Sequence, residues 1–279
     1  MSRFAQTFTL LLASGISIMA SAQPQSFYWQ TYQPDMDSKL FDGCGSTCPD
    51  IKYELVNTSN PWLDALVSKA VVNAIATDSE ETTSKSKYTK FNALKSPTQA
   101  QYAEQLATSI KALIAENNNL IANRGKDWDA SSQALVQTWA EPQYIGHKNL
   151  ANTTLELIQL GTYNYSGGAH GLANQDYYVF DMAKQKRLIP NDILLPNQKA
   201  KLETLVKTQF IDWIKQNDQD PIEYQKTWPF KLTDNFTFDK NGVTFIYQPY
   251  EISPYAYGMP KFTVPYTALK GIVKSDYLK

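Results

Sequence analysis

The order in which hydrophobic periods follow one another is the strongest constraint this chain places on its own fold. Ser59-Asn60-Pro61 puts a capping residue ahead of a proline at the first helical position. Trp62, Leu63, Leu66, Val67, Ala70, Val71 and Ala74 then recur at helical spacing, predicting a helix to about Ala76. Ser96-Pro97 opens a second helix with Tyr102, Leu106, Ile110, Leu113 and Ile114 inward, ending near Asn117-Asn118-Asn119. The character then changes. Gln133 to Ile145, Thr153 to Tyr165 and Gln175 to Met182 are rich in β-branched and aromatic residues, with polar or glycine-rich breaks, and predict strands. A short helical turn falls within Leu188 to Leu195. Lys199 to Gln216 is a third helix, with Leu202, Leu205, Val206, Phe210 and Trp213/Ile214 inward. Phe236 to Phe238 and Val243 to Gln248 flank Asp239-Lys240-Asn241-Gly242, where Asn-Gly predicts a hairpin turn of positive φ. Lys261 to Pro265 is a last strand, and the tail from Tyr266 reads as helical. Without regular βαβ alternation, the class is α+β with mainly antiparallel sheets, two helices in the N-terminal half and one long helix in the C-terminal half.

The first residues carry a different message. Arg3 precedes an apolar run from Phe8 to Met19, and Ala20-Ser21-Ala22 is a small-x-small cleavage site. This is the pattern of a secretory signal peptide over residues 1–22, too short for a stable membrane span. No cysteine follows the cut to accept a lipid, and no other stretch is apolar enough for a membrane helix, so the expectation is a periplasmic or secreted soluble protein. Cleavage removes one basic residue and no acid, taking the formal charge from −1 to −2. So weak a field gives no drive toward nucleic acid or membrane.

Export also frames the two cysteines. Cys44 and Cys48 enclose Gly45-Ser46-Thr47, small enough to close a tight loop, and in an oxidising compartment a disulfide is expected. The only histidines, His147 and His170, stand far from the cysteines in sequence, so a zinc site lacks its ligands. Residues 23–48 read as a polar, extended arm pinned by that disulfide; Ile51 to Val56 alternates as one half-buried strand; Thr77 to Phe91 is polar and exposed; Arg124 to Ser132 is a loop.

Two segments stand out as functional candidates. Tyr163-Asn164-Tyr165-Ser166-Gly167-Gly168-Ala169-His170-Gly171 forces a sharp excursion between two strands and ends on a histidine. Gln248-Pro249-Tyr250-Glu251-Ile252-Ser253-Pro254-Tyr255-Ala256-Tyr257-Gly258 is held extended by two prolines and displays tyrosine rings. From these, Ser166, His170, Tyr250, Glu251, Pro254, Tyr255 and Tyr257 are the candidate ligand-binding residues. Rigid aromatics lose little entropy on binding and are common at recognition hot spots. A lone histidine without a recognisable nucleophile more often bonds a backbone carbonyl than catalyses. Glu251 in turn could pair with a partner's cation or cap a local N–H. No catalytic residue, metal ligand or cofactor is assigned.

Taken together, Tyr-x-x-Gly-Gly-Ala-His-Gly, the strand ending in Phe-Asp, the Phe-x-Phe hairpin and Pro-Tyr-Glu-Ile-x-Pro-Tyr-x-x-Gly resemble the extracytoplasmic module of RsiV-type anti-sigma factors. The stretch from Pro49 to Tyr165 resembles the small domain beside it there and in PdaC-type peptidoglycan deacetylases. The resemblance implies an N-terminal domain over 49–165 and an RsiV-like domain over 166–279, non-catalytic, with lysozyme or a peptidoglycan-related ligand as partner. The sequence departs from the family's signalling members in showing no transmembrane or sigma-binding region. It lacks a deacetylase domain as well, since Thr237-Phe238-Asp239 has Lys240 where the second acid would stand. A cell-wall hydrolase or its accessory subunit, and a structural envelope assembly protein, are the other classes left open.

Overall fold

The computed structural model describes residues 27–42, 44, 48–76, 89–123 and 135–278. The expected signal peptide, most of the polar Thr77–Phe91 stretch and the Arg124–Ser132 loop lie outside the described residues. The fold is α+β, as the ordering of periods requires.

Strand β1 (Gln30–Tyr32) is followed by β2 (Asp50–Tyr53) and β3 (Leu55–Asn57). Helices α1 (Pro61–Ile75) and α2 (Gln99–Ala122) come next, with a short helical turn over 89–93 between them. Three long strands then run back and forth: β4 (Val136–Asn149), β5 (Thr154–Ser166) and β6 (Leu172–Asp181). Strand β7 (Lys186–Leu188), the turn α3 (Pro190–Ile193), the long α4 (Lys199–Gln216) and α5 (Pro221–Thr227) precede the meander β8 (Phe236–Phe238), β9 (Gly242–Ile246) and β10 (Lys261–Pro265).

The main sheet has the order β2-β4-β5-β6-β7. Its β2–β4 pair is parallel and the other pairs are antiparallel. The meander forms a second sheet, β10-β9-β8, and β1 pairs with β3. Successive strand residues point to opposite faces, so β5 divides its apolar residues between two cores. Leu155 and Leu157, with Val179 and Leu188, pack against α4 and the meander. Ile158 and Leu160, with Tyr178 and Phe180, pack against α1 and α2. Residues 165 and 166 are consecutive in β5 and pair with Gln137 and Val136 of β4, so one sheet runs across that position while a separate core lies on each face.

Several local expectations are corrected. The strand expected over Ile51–Val56 is two strands in two sheets, because the N-terminal arm contributes β1 as a partner for β3. Leu55 and Val56 are therefore both buried, which breaks the alternation. Leu66 of α1 is 41% exposed while Leu63, Val67 and Val71 are fully buried. Asn60 makes no side-chain cap; instead Asp64 accepts from the N–H and hydroxyl of Thr58 ahead of the helix. Helix α2 starts with a capping box between Thr98 and Gln101 and continues past the asparagine run. It does so because buried Asn117 turns its Oδ1 to the N–H groups of Leu135 and Val136, fixing the start of β4. Phe91, expected exposed, is buried edge-on to Tyr102. Helix α5 was not expected, although Asp220-Pro221 is a cap and a first-turn proline, and Asp220 accepts from Ile222 and Glu223. The tail is not a long helix: it is turns, a bridge between Leu194 and Val273 and a 3-10 turn at Ser275–Tyr277. It is held down by buried Tyr277, whose hydroxyl reaches Asp181. Cys44 and Cys48 are joined in a disulfide.

The Asn-Gly turn also works differently from its expectation. Neither Asn241 nor Gly242 is among the positive-φ residues. Asp239 instead accepts from both of their N–H groups, an Asx-type turn. Glycine is needed at 242 because a Cβ there would run into the Val264 carbonyl of β10.

Candidate functional site

The two candidate segments, about 80 residues apart in the chain, meet in space. Tyr165, Ser166 and the glycines form the β5–β6 turn. Gly167 and Gly168 adopt φ of +86° and +95°, which L side chains rarely take. The Tyr165 hydroxyl donates to the Gly168 carbonyl and tightens the turn. The turn delivers exposed His170 onto the ring of Tyr255, with centroids 3.9 Å apart and planes 15° from parallel. Tyr250 lies beside Tyr255 at 5.8 Å, making a surface platform of three rings. His170 Nδ1 is 3.0 Å from the Gly171 carbonyl oxygen. A carbonyl only accepts, so the neutral imidazole carries its proton on Nδ1 and leaves Nε2 as an acceptor.

The tyrosine segment is rigid for identifiable reasons. Gln248 N–H donates to Glu251 and Glu251 N–H returns to the Gln248 carbonyl. Glu251 thus caps its own turn, the second of the two roles open to it. Burial pushes the Glu251 carboxyl up, against the lowering effects of the Gln248 N–H, Thr233 and Lys231. Ile252 and Ser253 are fully buried and anchor the loop, and Tyr224 donates to the Ile252 carbonyl. Tyr250 sits at φ +67° with half its surface exposed. A bulky residue in the left-handed region is strained, and such strain persists only where the surroundings fix it. Pro254 leads into a 3-10 turn, Tyr255–Tyr257. Tyr257 is part of the same surface but does not join the stack: it packs edge-on against Trp213 of α4, at 5.2 Å. Ser166 is not in the platform either; it lines a cleft on the helix-covered face of the main sheet.

Two residues that build the site, Gln248 and Asn235, are not among the candidate binding residues read from the sequence. Gln248 donates to the Gln175 carbonyl at 2.8 Å and accepts from the Gln175 N–H at 3.0 Å. Asn235 repeats the device, donating to the Gln175 carbonyl and accepting from the Tyr177 N–H. These amides replace a neighbouring strand along β6 and clamp the meander to the main sheet, which sets the tyrosine loop over the glycine turn. The sequence signal was slight: two amides flanking a hairpin, with nothing to show what they bond.

Among the described residues, no group of three or more His, Cys, Asp or Glu is placed to hold a metal ion. Among them too, no helix is long and apolar enough to cross a membrane.

Residues 191–267 match the family described as "Protein of unknown function (DUF3298)", a span that takes in α4, the meander and the tyrosine loop but not the glycine turn. No curated protein matches the chain. Two crystal structures are similar over 90% of this chain and 95% of theirs. One is a DUF3298 family protein from Pseudomonas aeruginosa PAO1, at 22% identity and a TM-score of 0.59. The other is a DUF3298 family member from Bacteroides fragilis NCTC 9343, at 19% identity and a TM-score of 0.63. At such identities the likeness is one of fold, and the chain carries a DUF3298 domain at residues 191–267 within it.

Proposed function

We propose that the protein is an exported, non-catalytic binding module of the bacterial envelope that engages a partner through the His170–Tyr255–Tyr250 platform. The observation that carries this reading is the stacking of rings from two separately built, rigid loops on an exposed surface. A preorganised aromatic surface loses little entropy on association and suits either a protein hot spot or the face of a sugar ring. The resemblance of its motifs to RsiV-type modules makes lysozyme the first partner to test and soluble peptidoglycan fragments the second. His170 serves as a ring and a turn-closing donor in this reading.

Calorimetric titration of the purified protein with lysozyme, then with the fragments, tests the proposal. Saturable binding is expected, weakened by about 1–3 kcal/mol in Tyr255→Ala. Saturable binding with unchanged affinity in that variant removes the platform from the account, and no binding of either ligand removes the partner class.

A further inference from the structure

The helix-facing side of the main sheet changes character along its length. On β5 the residues that share this face are Ile158 and Leu160, then Thr162, Asn164 and Ser166. On β6, Phe180 and Tyr178 give way to Asp176 and Asn174. The change is in register, since Thr162 pairs with Asn174 and Asn164 with Thr138 of β4. Above this polar floor the helices do not close down. Alanines 70 and 74 of α1 and 112 and 115 of α2 project too little to fill the space, and a cleft of about 1120 Å³ remains between helices and sheet. Asn73, Asn119 and Asn123 add amides to its walls. The Oδ1 of Asn73 is enclosed and hydrogen-bonds to no described residue.

We propose that this cleft is a binding site for an uncharged or cationic oligosaccharide, separate from the aromatic platform. Asparagine amides both donate and accept, and threonine and serine hydroxyls do the same, which suits sugar hydroxyl and acetamido groups. The described lining contains two acids, Glu116 and Asp176, and no lysine or arginine; Arg187, 4.0 Å over the Tyr178 ring, offsets Asp176 from beside it, which leaves Glu116 as an excess negative charge that disfavours anionic ligands. An extended peptide finds no free strand edge at the centre of this floor, because β5 is paired with β4 and β6, and Asn235 and Gln248 already take the backbone groups of Gln175 and Tyr177 on the outer edge of β6. The volume exceeds the roughly 300–1,000 Å³ typical of pockets for a single small ligand, so a chain of rings fits better than one.

Calorimetry of the full protein with three probes tests the site: chitotetraose, which is uncharged, its de-N-acetylated cationic form, and anionic tetragalacturonate. The first two are expected to bind saturably and the third not. Asn119→Trp, at an exposed helix position, is expected to weaken chitotetraose at least tenfold with an unchanged melting temperature. The pair Thr162→Val and Asn164→Ala is expected to weaken it at least fivefold. A sugar seated on the platform would instead be weakened in Tyr255→Ala and keep wild-type affinity in Asn119→Trp, which separates this proposal from the platform's. Failure of both sugars to bind, equal binding of tetragalacturonate, wild-type affinity in Asn119→Trp, or loss of binding in Tyr255→Ala would each overturn the assignment.

Discussion

The two faces of the main sheet are made from alternate residues of the same strands, yet they end in opposite states. One face is sealed. Phe210 of α4 touches the rings of Trp213, Tyr224, Phe230 and Phe262, and Phe236, Phe245 and Tyr247 fill the space between the meander and the sheet. The other face is covered by α1 and α2 for only part of its length: rings such as Trp62 on Phe180 close its Phe180 end, while alanines of both helices face its polar end. Large rings interlock and leave no room, whereas alanines on a helix keep the backbone neighbour close and the side-chain space empty. The difference separates a face that holds the fold from a face with room for a ligand.

Breaking the sealed face should have the largest effect. Phe210→Ala is expected to lower stability by about 3–5 kcal/mol in urea denaturation. Asn119→Trp at the rim of the open face should change it by no more than about 0.5 kcal/mol. Equal losses would mean that the two faces do not differ in packing.

The glycines give a second contrast. Gly242→Ala forces a Cβ into the Val264 backbone and is expected to cost about 2–3 kcal/mol. Gly167→Ala has open space around it and meets only the backbone cost of positive φ, about 1 kcal/mol. Thermal unfolding of both variants would rank them.

The carboxylates sharpen the comparison through pH. Burial would raise the Asp181 carboxyl, but hydrogen bonds from Thr153 and Lys184 outweigh it and hold the group below the ordinary range. Its contribution is therefore present above the unfolded-state value and lost as pH falls through the folded one. On the opposite face, burial raises the Glu156 carboxyl despite the Tyr144 hydrogen bond and the nearby His147. Its folded form keeps a proton that the unfolded chain has lost, so stability falls as pH rises from the unfolded value through the folded one. Asp181→Asn is expected to cost about 2 kcal/mol at neutral pH, with the difference from the parent shrinking in acid. Glu156→Gln should flatten the decline above the ordinary carboxylate range. Denaturant midpoints measured from pH 3 to 8 would show both slopes, and reversed slopes would contradict the assignments.

The smallest effect tests strain in the platform. Tyr250→Gly and Tyr250→Ala remove the same ring, but glycine accepts φ +67° freely. The glycine variant should be the more stable by about 1 kcal/mol. Equal stabilities would mean that the loop relaxes on truncation.

Much of this molecule was legible in the chain. Lys199–Gln216 and Lys261–Pro265 have the expected bounds, because uninterrupted periods and clear end signals determine local structure. The α+β class, the disulfide of Cys44 with Cys48 and the importance of turn geometry at Gly167-Gly168 were legible for the same reason: each follows from residues near one another in sequence. What the tertiary structure decided involves partners distant in sequence. It split Ile51–Val56 between two sheets by supplying β1, carried α2 through its asparagines by giving Asn117 two strand N–H groups, and replaced a positive-φ hairpin turn with an Asp239 turn beneath a neighbouring strand. It likewise brought His170 onto Tyr255 and set Ser166 in a cleft instead. Local propensity is a preference of at most about 1 kcal/mol per residue for ordinary side chains. A buried hydrogen bond left unmade or a backbone clash costs more than that, so at such positions the distant partner decides the outcome.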